Sequence, residues 1–428
     1  MRILVADLKE KIGQKVTVAG WVHELRDLGG IKFLLLRDRT GCAQITFLKK
    51  KIPLEVFGQF ADLGREYVIS VTGTVNQSDI AQKGIELFPS SIEILAHAHS
   101  PLPLDPTLKV TADFDTRLNH RVLDLRNRTN RLVFYIEAAL VSGFRQFLEG
   151  EGFCEIHTPK IVATGTEGGT ELFPIQYFEN KAFLAQSPQF YKQMLVGAGF
   201  ERVYEVGPVY RAEEHNTIRH INEYTSLDLE FGFIQDDADI RALENRLLLH
   251  MYENLTSRCA EELKELNACI PDVPQTIPAI PFKEALEISG EKGFDLSPVG
   301  EKKVCEYSKE SLDSEFIFVT SYPQEKRPMY TMPDGDGENT KSFDLLLRGI
   351  EVTTGGQRIH QYDLLVEKIS ERGLNPDDFS YYLEVFKFGM PPHGGFAIGA
   401  ERLTMQTLDL SNIREATFFP RDRTRITP

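Results

Sequence analysis

The sequence lacks the features that mark secreted, zinc-binding or membrane-spanning proteins. Its five cysteines include no C-x-x-C pair and show no zinc-type spacing with the ten histidines. We therefore expect reduced thiols in a cytoplasmic protein. No apolar run approaches the roughly 18 residues of a membrane span, and charge follows the first residue too closely for a signal peptide. Internal repeats and low-complexity tracts are also missing, so we expect a soluble globular protein with no membrane partner.

The sequence also lacks an excess of basic residues, because the formal net charge is −15. This argues against a protein that grips nucleic acid over its whole surface. The acidity is uneven, since residues 1–100 hold 13 Lys and Arg against 11 Asp and Glu. A near-neutral N-terminal module with K-K-K at 49–51 could meet phosphates, although a solvated loop explains the same lysines.

The first hundred residues predict a small barrel. Five short alternating or apolar runs predict strands, at residues 16–22, 32–37, 42–48, 66–75 and 84–95. A helix is predicted between the third and fourth strands, over residues 53–63. This is the element order of an OB barrel, a fold that often binds single-stranded nucleic acid. We predict an OB domain over 1–98; another five-stranded barrel without a ligand fits the pattern as well.

The remaining residues predict an α+β domain. The Pro-rich stretch H-S-P-L-P-L-D-P opens a linker over 99–130. A helix begins at Thr129, and beyond it antiparallel strands are broken by helices without regular βαβ alternation. We expect 131–428 to form one domain built on an antiparallel sheet flanked by helices. A segment near 255–310, rich in Lys and Glu, is expected to be a mostly helical surface insertion.

Charges of both signs crowd into Y-R-A-E-E-H-N-T-I-R-H-I-N-E-Y at 210–224. The strand that follows alternates, and its polar positions share one face. These positions are Asn222, Tyr224, Ser226, Asp228 and Glu230. A polar strand face inside a large domain indicates a wet ligand site, with Tyr224 as a stacking plane for a base. The solvated face of an edge strand is the alternative.

Two later segments indicate the same ligand site. The apolar strand 343–358 carries Asp344 and Glu351, and buried carboxylates are costly unless they are paired or bind a cation. Mg²⁺ held together with substrate phosphates satisfies this, as does a salt bridge to Arg348 or Arg358. In G-G-F-A-I-G-A-E-R-L, residues 394–403, the glycines let a flat ligand approach the backbone, although close strand–helix packing explains them equally well.

These segments resemble the three motifs of class II aminoacyl-tRNA synthetases. R-A-E-E-H…R-H with its polar strand resembles motif 2, G-F-A-I-G-A-E-R-L resembles motif 3, and G-F-C-E-I-H-T-P-K at 152–160 resembles motif 1. With an N-terminal OB domain, the order is similar to subclass IIb, the aspartate, asparagine and lysine enzymes. The resemblance implies ATP as co-substrate, Mg²⁺ as cofactor, transfer RNA as partner, and a homodimer with Pro159 at its two-fold interface.

The segment Q-S-P-Q-F-Y-K-Q at 186–193 resembles the aspartyl signature of the archaeal and eukaryotic type. An ammonium at Lys192 satisfies a carboxylate but offers nothing special to an amide, and Arg358 would be its partner. The resemblance implies an aspartate site that includes the loop residue Glu167. The implied site comprises Glu167, Gln189, Lys192, Arg211, Asp228, Thr354 and Arg358.

The resemblance also assigns the nucleotide and metal. Arg211, Glu351 and Arg402 are the implied catalytic residues, with adenine between Tyr224 and Arg402. The implied ATP-binding set is Arg211, Ala212, Glu213, Arg219, His220, Ile221, Tyr224, Glu351, Gly399, Ala400, Glu401 and Arg402. Glu351 and Thr354 would hold Mg²⁺. Asp344 would join them only if the strand bulges near Gly349, because its position otherwise has the wrong parity.

The barrel bears on which transfer RNA is charged. Archaeal-type relatives that charge only tRNA(Asp) have Trp at the position of His23 and Lys near that of Ile80. Loss of both large side chains predicts relaxed reading of the third anticodon base, so that tRNA(Asn) is charged as well and its product amidated by a tRNA-dependent amidotransferase. The alternatives are a strictly tRNA(Asp)-specific enzyme, with compensation by Gln77 or Gln82, and an asparaginyl-tRNA synthetase.

Three other functional classes fit the sequence less well. A non-catalytic paralogue should have lost Arg211, Glu351 or Arg402, and all three are present. An amide-forming ligase on the same fold that works without transfer RNA should lack the barrel. An unrelated RNA-binding protein would need a basic body.

Overall fold

A computed structural model describes residues 2–81, 83–107, 109–166, 171–214, 217–335 and 337–428. The chain divides into two compact units, Met1–Arg128 and Thr129–Pro428. In the described residues no helix combines the length and the apolar character needed to cross a membrane.

The first unit contains a closed five-stranded barrel. Its strands are β1 (Lys15–Asp27), β2 (Ile31–Asp38), β3 (Gly41–Leu48), β4 (Val68–Gln77) and β5 (Ile85–Ala96). Its helices are α1 (Leu54–Gln59), α2 (Phe114–Asn119) and α3 (Arg121–Asp124), with 3₁₀ turns at Val5–Lys11 and Phe60–Asp62. The spatial order is β1-β2-β3-β5-β4, and β3 pairs with β5 in parallel.

Alternation along the strands explains why the barrel closes around an apolar core. In β4 every second side chain is buried, including Ile69, Val71 and Val75, and Phe47 of β3 meets Phe60 edge to face inside. The five predicted strands and the helix between the third and fourth are present. The predicted OB barrel is confirmed.

The second unit is built on an eight-stranded sheet and also contains two small sheets. The strands of this unit are β6 (Cys154–Glu155), β7 (Ile161–Val162), β8 (Pro174–Tyr177), β9 (Asn180–Leu184), β10 (Arg202–Tyr210), β11 (Glu223–Gly232), β12 (Ala279–Pro281), β13 (Phe316–Thr320), β14 (Pro333–Asp334), β15 (Asn339–Thr340), β16 (Ser342–Leu347), β17 (Ile350–Arg358) and β18 (His393–Gly399). The large sheet has the order β12-β13-β16-β17-β18-β11-β10-β6, and the small sheets have the orders β7-β9-β8 and β14-β15. The inner pairs are antiparallel, whereas β6 and β12 join the edges in parallel.

Nine helices accompany the sheets in the described part of this unit. They are α4 (Arg128–Gly150), α5 (Gln189–Leu195), α6 (Asp237–Arg258), α7 (Ala260–Leu266), α8 (Phe282–Ser289), α9 (Pro298–Ser311), α10 (Tyr362–Glu371), α11 (Ser380–Lys387) and α12 (Ala400–Thr407). Shorter helical turns lie at Val196–Phe200, Gln324–Lys326, Pro376–Phe379 and Ile413–Ala416.

One apolar core joins two long helices to the sheet. It contains Leu140 and Phe144 of α4, Leu243 and Leu247 of α6, and Leu229 of β11. Leu229 lies on the strand face opposite to Asp228, as the alternation in the sequence predicts. The other face of the sheet is thereby left for polar side chains. The predicted α+β architecture is confirmed.

Residues 255–310 form more than helices on the surface. They supply the edge strand β12, and the buried side chains of Ile280, Phe282 and Val304 lie in a second core with residues of β13. The segment is therefore integrated into the sheet, a role that its Lys- and Glu-rich composition does not indicate.

Glu244 on α6 is a fully buried carboxyl, and burial, followed by the nearby charge of Asp344, raises its pKa to about 8. In the unfolded chain the carboxyl would titrate near pH 4.5. Between these two pKa values the folded state holds the extra proton. The contribution to stability is therefore complete below about pH 4.5 and is lost as pH rises towards 8.

We expect Glu244→Gln to remove this pH dependence, because glutamine resembles the protonated acid and cannot ionise. Relative to wild type, the free energy of unfolding should improve by about 3 kcal/mol more at pH 8 than at pH 5. Chemical denaturation at both pH values measures it, with Glu253→Gln, an exposed residue of the same helix, as control. An equal effect at the two pH values would refute the assignment.

Candidate active site

Two neighbouring cavities open on the polar face of the large sheet, over β11, β17 and β18. They share the lining residues Ser187, Arg211, Glu351, Thr354 and Ala397. The first cavity is also lined by Glu213, Arg219, His220, Ile221, Tyr224, Gly399, Glu401 and Arg402. The second is also lined by Gln189, Asp228, Arg327, Asp344 and Arg358. Most of the predicted site residues therefore meet in one continuous site.

The connection between β10 and β11 holds Arg211 at the boundary of the two cavities. The backbone N–H of Arg211 donates to the carbonyl of Asn222 (2.9 Å), and the Asn222 amide donates back to the carbonyls of Arg211 (2.8 Å) and Glu213 (3.2 Å). The Arg211 guanidinium lies 5.9 Å from the ring centroid of Tyr224. Asn222 is buried. These hydrogen bonds form a clamp that fixes the backbone of Arg211 and Glu213 and does not involve the charged groups of the two side chains.

The start of α12 closes the first cavity. The Glu401 carboxylate accepts the backbone N–H of Thr225 through both oxygens, at 2.9 and 3.1 Å. Arg402 donates to the carbonyl of Glu351 (3.1 Å) and lies 3.9 Å from its carboxylate. An aromatic ring at 224 and a guanidinium at 402 thus line the same cavity, which suits a flat ligand between them.

Two residues of the predicted nucleotide set do not line either cavity. The backbone N–H of Ala212 donates to the carbonyl of Glu171 (2.8 Å), and Ala400 is buried at the first position of α12.

A buried group of four charges lies at the inner end of the second cavity. Lys192 of α5 is 0% exposed, and its ammonium lies 2.9 Å from Asp228, 3.5 Å from Glu230 and 3.2 Å from the carbonyl of Leu229. Lys192 itself is not a lining residue, whereas its partner Asp228 is. The ammonium is therefore held just behind the cavity wall by two carboxylates.

Glu230 joins the two cations of this group. Its carboxylate accepts from Arg358 (3.1 Å) and from the amide of Gln189 (3.2 Å). Burial alone would raise the pKa of Glu230, but Arg358 and Lys192 reverse the effect and lower it below its usual value. The sequence pattern predicts that Glu230 lies on the polar strand face, but no role was predicted for it. The one signal for such a role is that Glu230 shares this face with Asp228, two positions before it.

A glycine makes room for this group. Arg358 also donates to the carbonyl of Gly395 (3.0 Å) on the neighbouring strand β18. A Cβ atom at position 395 would stand 2.1 Å from the carbonyl oxygen of Leu229 and 2.6 Å from the Glu230 carboxylate. Glycine is therefore required for close strand approach at this point.

The predicted metal ligands lie together, with an unpredicted cation among them. Asp344 and Thr354 are register partners on β16 and β17, and the Thr354 hydroxyl donates to Asp344 (2.5 Å). Arg327 contacts Asp344 (2.8 Å) and donates to Thr354 (2.9 Å). A salt bridge of Asp344 with Arg348 or Arg358 was the alternative to a bound metal ion, and this prediction is wrong. Asp344 pairs with Arg327, whereas Arg348 pairs with Glu315 and Arg358 with Glu230.

A bulge brings Glu351 to the same side as Asp344. Leu345 pairs with Thr353 and Leu346 with Glu351, so that Val352 is the extra residue. The predicted irregularity is present, but it lies at 352 instead of near Gly349, because the turn at 348–349 keeps the hairpin in register at its closed end.

The donor set suits a magnesium ion that also binds phosphate. Two carboxylates and a hydroxyl are hard oxygen donors, and they are too few to hold the ion alone; in the described residues no three acidic, His or Cys side chains cluster as a metal site. Burial, and then the negative charge of Asp344, raises the pKa of Glu351, so a cation near both carboxylates would relieve their repulsion. The residues therefore fit the ion.

Arg219 is paired with a residue that the sequence did not single out. Its guanidinium donates to Glu301 on α9 (2.5 Å), in the segment interpreted as a surface insertion. Burial, partly offset by Arg219, raises the pKa of Glu301 to about 7. Glu301 lines the second cavity, so the segment 255–310 contributes directly to the site.

In the barrel, the two predicted anticodon residues have different surroundings. Ile80 is 91% exposed and lines a shallow cavity with Phe33 and Gln44. His23 lies at a bulge in β1, where Arg37 contacts its Nδ1 atom (2.7 Å). Burial, followed by the charge of Arg37, lowers the pKa of His23. Because Arg37 can only donate, the neutral ring carries its proton on Nε2.

Two further predicted residues lie outside the two cavities or outside the described part of the chain. Pro159 is exposed between β6 and β7. Glu167 lies outside the described residues.

Comparison with known proteins identifies the family of the chain. Residues 113–423 match the family model of tRNA synthetases class II (D, K and N), and residues 16–95 match that of OB-fold nucleic acid binding domains. The chain is 50% identical to the aspartate–tRNA(Asp/Asn) ligase of Methanopyrus kandleri, over 98% of this chain and 97% of that protein. It is 49% identical to the aspartate–tRNA(Asp) ligase of Pyrococcus abyssi, over 98% of each.

Solved structures show the same architecture. Asparaginyl-tRNA synthetase from Pyrococcus horikoshii, complexed with asparaginyl-adenylate, superposes with a TM-score of 0.93 at 29% identity over the whole of both chains. Aspartyl-tRNA synthetase from Entamoeba histolytica superposes with a TM-score of 0.90 at 32% identity, over 100% of this chain and 93% of the other. Since the family model spans most of its length, the chain belongs to the class II tRNA synthetases of the D, K and N group.

Proposed function

We propose that the protein is an aspartate–tRNA ligase, which activates L-aspartate with ATP and transfers it to the 3′ end of transfer RNA. The observation that carries this proposal is the buried group of Lys192, Arg358, Asp228 and Glu230 beside a cavity lined by Arg211. The names of the relatives from Methanopyrus kandleri and Pyrococcus abyssi support it.

The charges at the inner end of the second cavity favour aspartate over asparagine. Lys192 and Arg358 supply two cations near the proposed position of the substrate side chain, and the Gln189 amide contacts both Arg358 and Glu230. When Asp228 turns to the substrate ammonium group, Glu230 remains as the one carboxylate that faces both cations. A substrate carboxylate then completes the charge balance, whereas the isosteric amide leaves one cation uncompensated in a dry site. Asp228, assisted by Glu167, is the proposed partner of the substrate ammonium group. These charges favour an aspartate enzyme, although the fold is similar to that of an asparaginyl-tRNA synthetase.

The first cavity is the proposed ATP site. Adenine lies between Tyr224 and Arg402, as their shared cavity permits. Arg211, at the boundary of the two cavities, holds the α-phosphate and the substrate carboxylate for in-line displacement. The other proposed nucleotide contacts, by side chain or backbone, are Ala212, Glu213, Arg219, His220, Ile221, Glu351, Gly399, Ala400 and Glu401.

The reaction then follows in two balanced steps. A substrate carboxylate oxygen attacks the α-phosphorus, the bond to the β,γ-phosphates breaks, and pyrophosphate leaves with its electron pair. The ribose 3′-hydroxyl of transfer RNA next attacks the acyl carbon, the bond from that carbon to the AMP phosphate oxygen breaks, and the hydroxyl proton passes to the departing AMP phosphate or to solvent. Glu351, Thr354 and Asp344 are the proposed holders of Mg²⁺, which neutralises phosphate charge when bound. No side chain of the site stands out as an obligatory general base.

Aminoacylation of purified tRNA(Asp) with labelled aspartate tests this function. We expect acid-precipitable aspartyl-tRNA that depends on ATP. Absence of product at micromolar enzyme, with active transfer RNA, would refute the proposal.

We also propose that tRNA(Asn) is charged, on the basis of His23 and Ile80. The exposed side chain of Ile80 offers a base no charge and no hydrogen bond. His23 is smaller than the tryptophan that the family resemblance implies for enzymes specific for tRNA(Asp). Several similar proteins, among them that of Methanopyrus kandleri, are named for tRNA(Asp/Asn), which supports the proposal, whereas that of Pyrococcus abyssi is named for tRNA(Asp) alone. A tRNA-dependent amidotransferase would be the functional partner, and the cytoplasm the place of action.

The double substitution His23→Trp with Ile80→Lys is expected to lower charging of tRNA(Asn) at least ~10-fold relative to tRNA(Asp). Each restored contact is worth about 1–3 kcal/mol at the third anticodon base. The measurement is kcat/KM for both transfer RNAs, with exposed Leu54→Lys as a control for added barrel charge. The hypothesis fails if the wild-type protein leaves tRNA(Asn) uncharged at high enzyme concentration.

A homodimer is proposed from the motif 1 segment, with exposed Pro159 available for the two-fold contact. Sedimentation at micromolar concentration tests it, and a monomer would refute it.

A further inference from the structure

The proposed mechanism assigns no role to Arg327, although this residue lies in the site. It follows the helical turn Gln324–Lys326, and its guanidinium lies over the ring of Tyr322, 3.9 Å from the ring centroid. Its side chain is 10% exposed and lines the second cavity together with Arg211. A guanidinium held on an aromatic plane at a cavity wall has a defined position and direction.

Arg327 contacts oxygen atoms of Asp344 and Thr354, which are two of the proposed metal ligands. One nitrogen lies 2.8 Å from Oδ2 of Asp344, and another donates to the Thr354 hydroxyl at 2.9 Å. The same hydroxyl donates to Oδ1 of Asp344 at 2.5 Å. Both oxygens of this carboxylate and one lone pair of the hydroxyl are therefore already engaged. Glu351 is the proposed ligand that Arg327 does not hold.

The charge of Arg327 also opposes the binding of a metal ion at Asp344 and Thr354. Arginine stays protonated in proteins, so the guanidinium is a permanent cation beside the site of a divalent cation. Two cations a few ångströms apart in a partly dry cavity repel each other strongly, even at an effective dielectric constant of about 20. A metal ion can reach Asp344 and Thr354 only if Arg327 gives up these contacts or another anion compensates its charge. The phosphates of a nucleotide in the same cavity are such an anion.

We propose that Arg327 takes the place of the metal ion while no nucleotide is bound. In that state its guanidinium contacts Asp344 and Thr354 and excludes a divalent ion, and it gives up these contacts when the phosphates of a nucleotide bind. The proposal rests on the proposed function for the identity of the phosphates. Its consequence is that metal and nucleotide bind with positive coupling, since each removes a cost that the other would meet. Arg327 therefore competes with the metal ion for Asp344 and Thr354 until a nucleotide is bound.

Direct binding of Mn²⁺ without nucleotide, followed by the electron paramagnetic resonance signal of the free ion, tests this. We expect Arg327→Met to bind one Mn²⁺ at least ~10-fold more tightly than wild type, because the repulsion is removed. Arg327→Lys, which keeps the charge, should bind as weakly as wild type. Unchanged or weaker binding by folded Arg327→Met would overturn the proposal, since the arginine would then support the ligands instead of competing for them.

Three controls locate the effect. Arg348→Met removes an arginine that pairs with Glu315 outside both cavities, and it should leave Mn²⁺ binding unchanged. Adding Asp344→Asn to Arg327→Met should abolish the gain; a gain that persists would place the ion elsewhere and refute the proposal. Arg327→Gln provides a second neutral variant if the methionine variant does not fold. Because no nucleotide, amino acid or transfer RNA is present, the titration can fail while aspartate charging by wild type succeeds, and the reverse.

Discussion

Replacement of Lys192 by methionine is expected to lower kcat/KM for aspartate in ATP–pyrophosphate exchange at least ~1000-fold, about 4 kcal/mol of transition-state stabilisation. The ammonium is fully buried and lies 2.9 Å from Asp228 and 3.5 Å from Glu230. Without it the site faces a substrate carboxylate with one cation fewer and two carboxylates less compensated. The loss should appear for aspartate, whereas binding of ATP alone should change little.

The same substitution should also destabilise the fold, because it leaves buried carboxylates with less charge compensation. We expect a decrease of about 3–5 kcal/mol in the free energy of unfolding. Lys368→Met, which removes a lysine paired with Glu371 on α10, is the control for loss of one positive charge. A folded Lys192→Met variant that activates aspartate within tenfold of wild type would show that this ammonium does not recognise the substrate.

Replacement of Arg211 by glutamine should lower kcat of exchange at least ~1000-fold. Arg211 is the arginine that lines both cavities while being held by the backbone clamp from Asn222. It can therefore reach the α-phosphate and the attacking carboxylate together, and an arginine that stabilises charge in phosphoryl transfer contributes a factor of about 10³–10⁵. The clamp uses only the backbone of residue 211 and survives the substitution.

Arg202→Gln is the matched control, because Arg202 lies on the same hairpin but faces Glu151 and Phe153 outside the cavities. The variant should retain wild-type exchange. Should Arg211→Gln lose affinity for ATP but keep its kcat, Arg211 would be a ground-state binding residue and the assigned role would be wrong.

Much of the fold could be predicted because its signals are local. The alternation of polar and apolar residues in β4 predicts a barrel strand without any knowledge of its partners. The polar and apolar faces of β11 were likewise readable, since a period of two assigns Asp228 and Leu229 to opposite sides. Patterns of this kind depend on neighbours within a few residues along the chain.

Partner choice was not predictable, because it depends on residues that are distant in sequence. Asp344 lies beside Arg327, not beside the arginines that its own hairpin offered. Arg219 pairs with Glu301, which is 82 positions away in a segment without a recognisable motif. No spacing rule predicts such contacts, and only the three-dimensional arrangement reveals that a supposed surface insertion lines the site.

The bulge in β17 illustrates an intermediate case. Parity showed that Asp344 and Glu351 could share a side only through an irregularity, so its existence was predictable. Its position was not, because pairing at Leu346 and Leu347 keeps the closed end of the hairpin regular and moves the extra residue to Val352.

The buried charges around Lys192 and Arg358 are expected to select a carboxylate side chain, and amino-acid-dependent ATP–pyrophosphate exchange measures this selection most directly. With wild-type protein and saturating ATP, we predict exchange with aspartate and a kcat/KM at least ~1000-fold lower with asparagine. Exchange that proceeds with asparagine and not with aspartate would contradict the account.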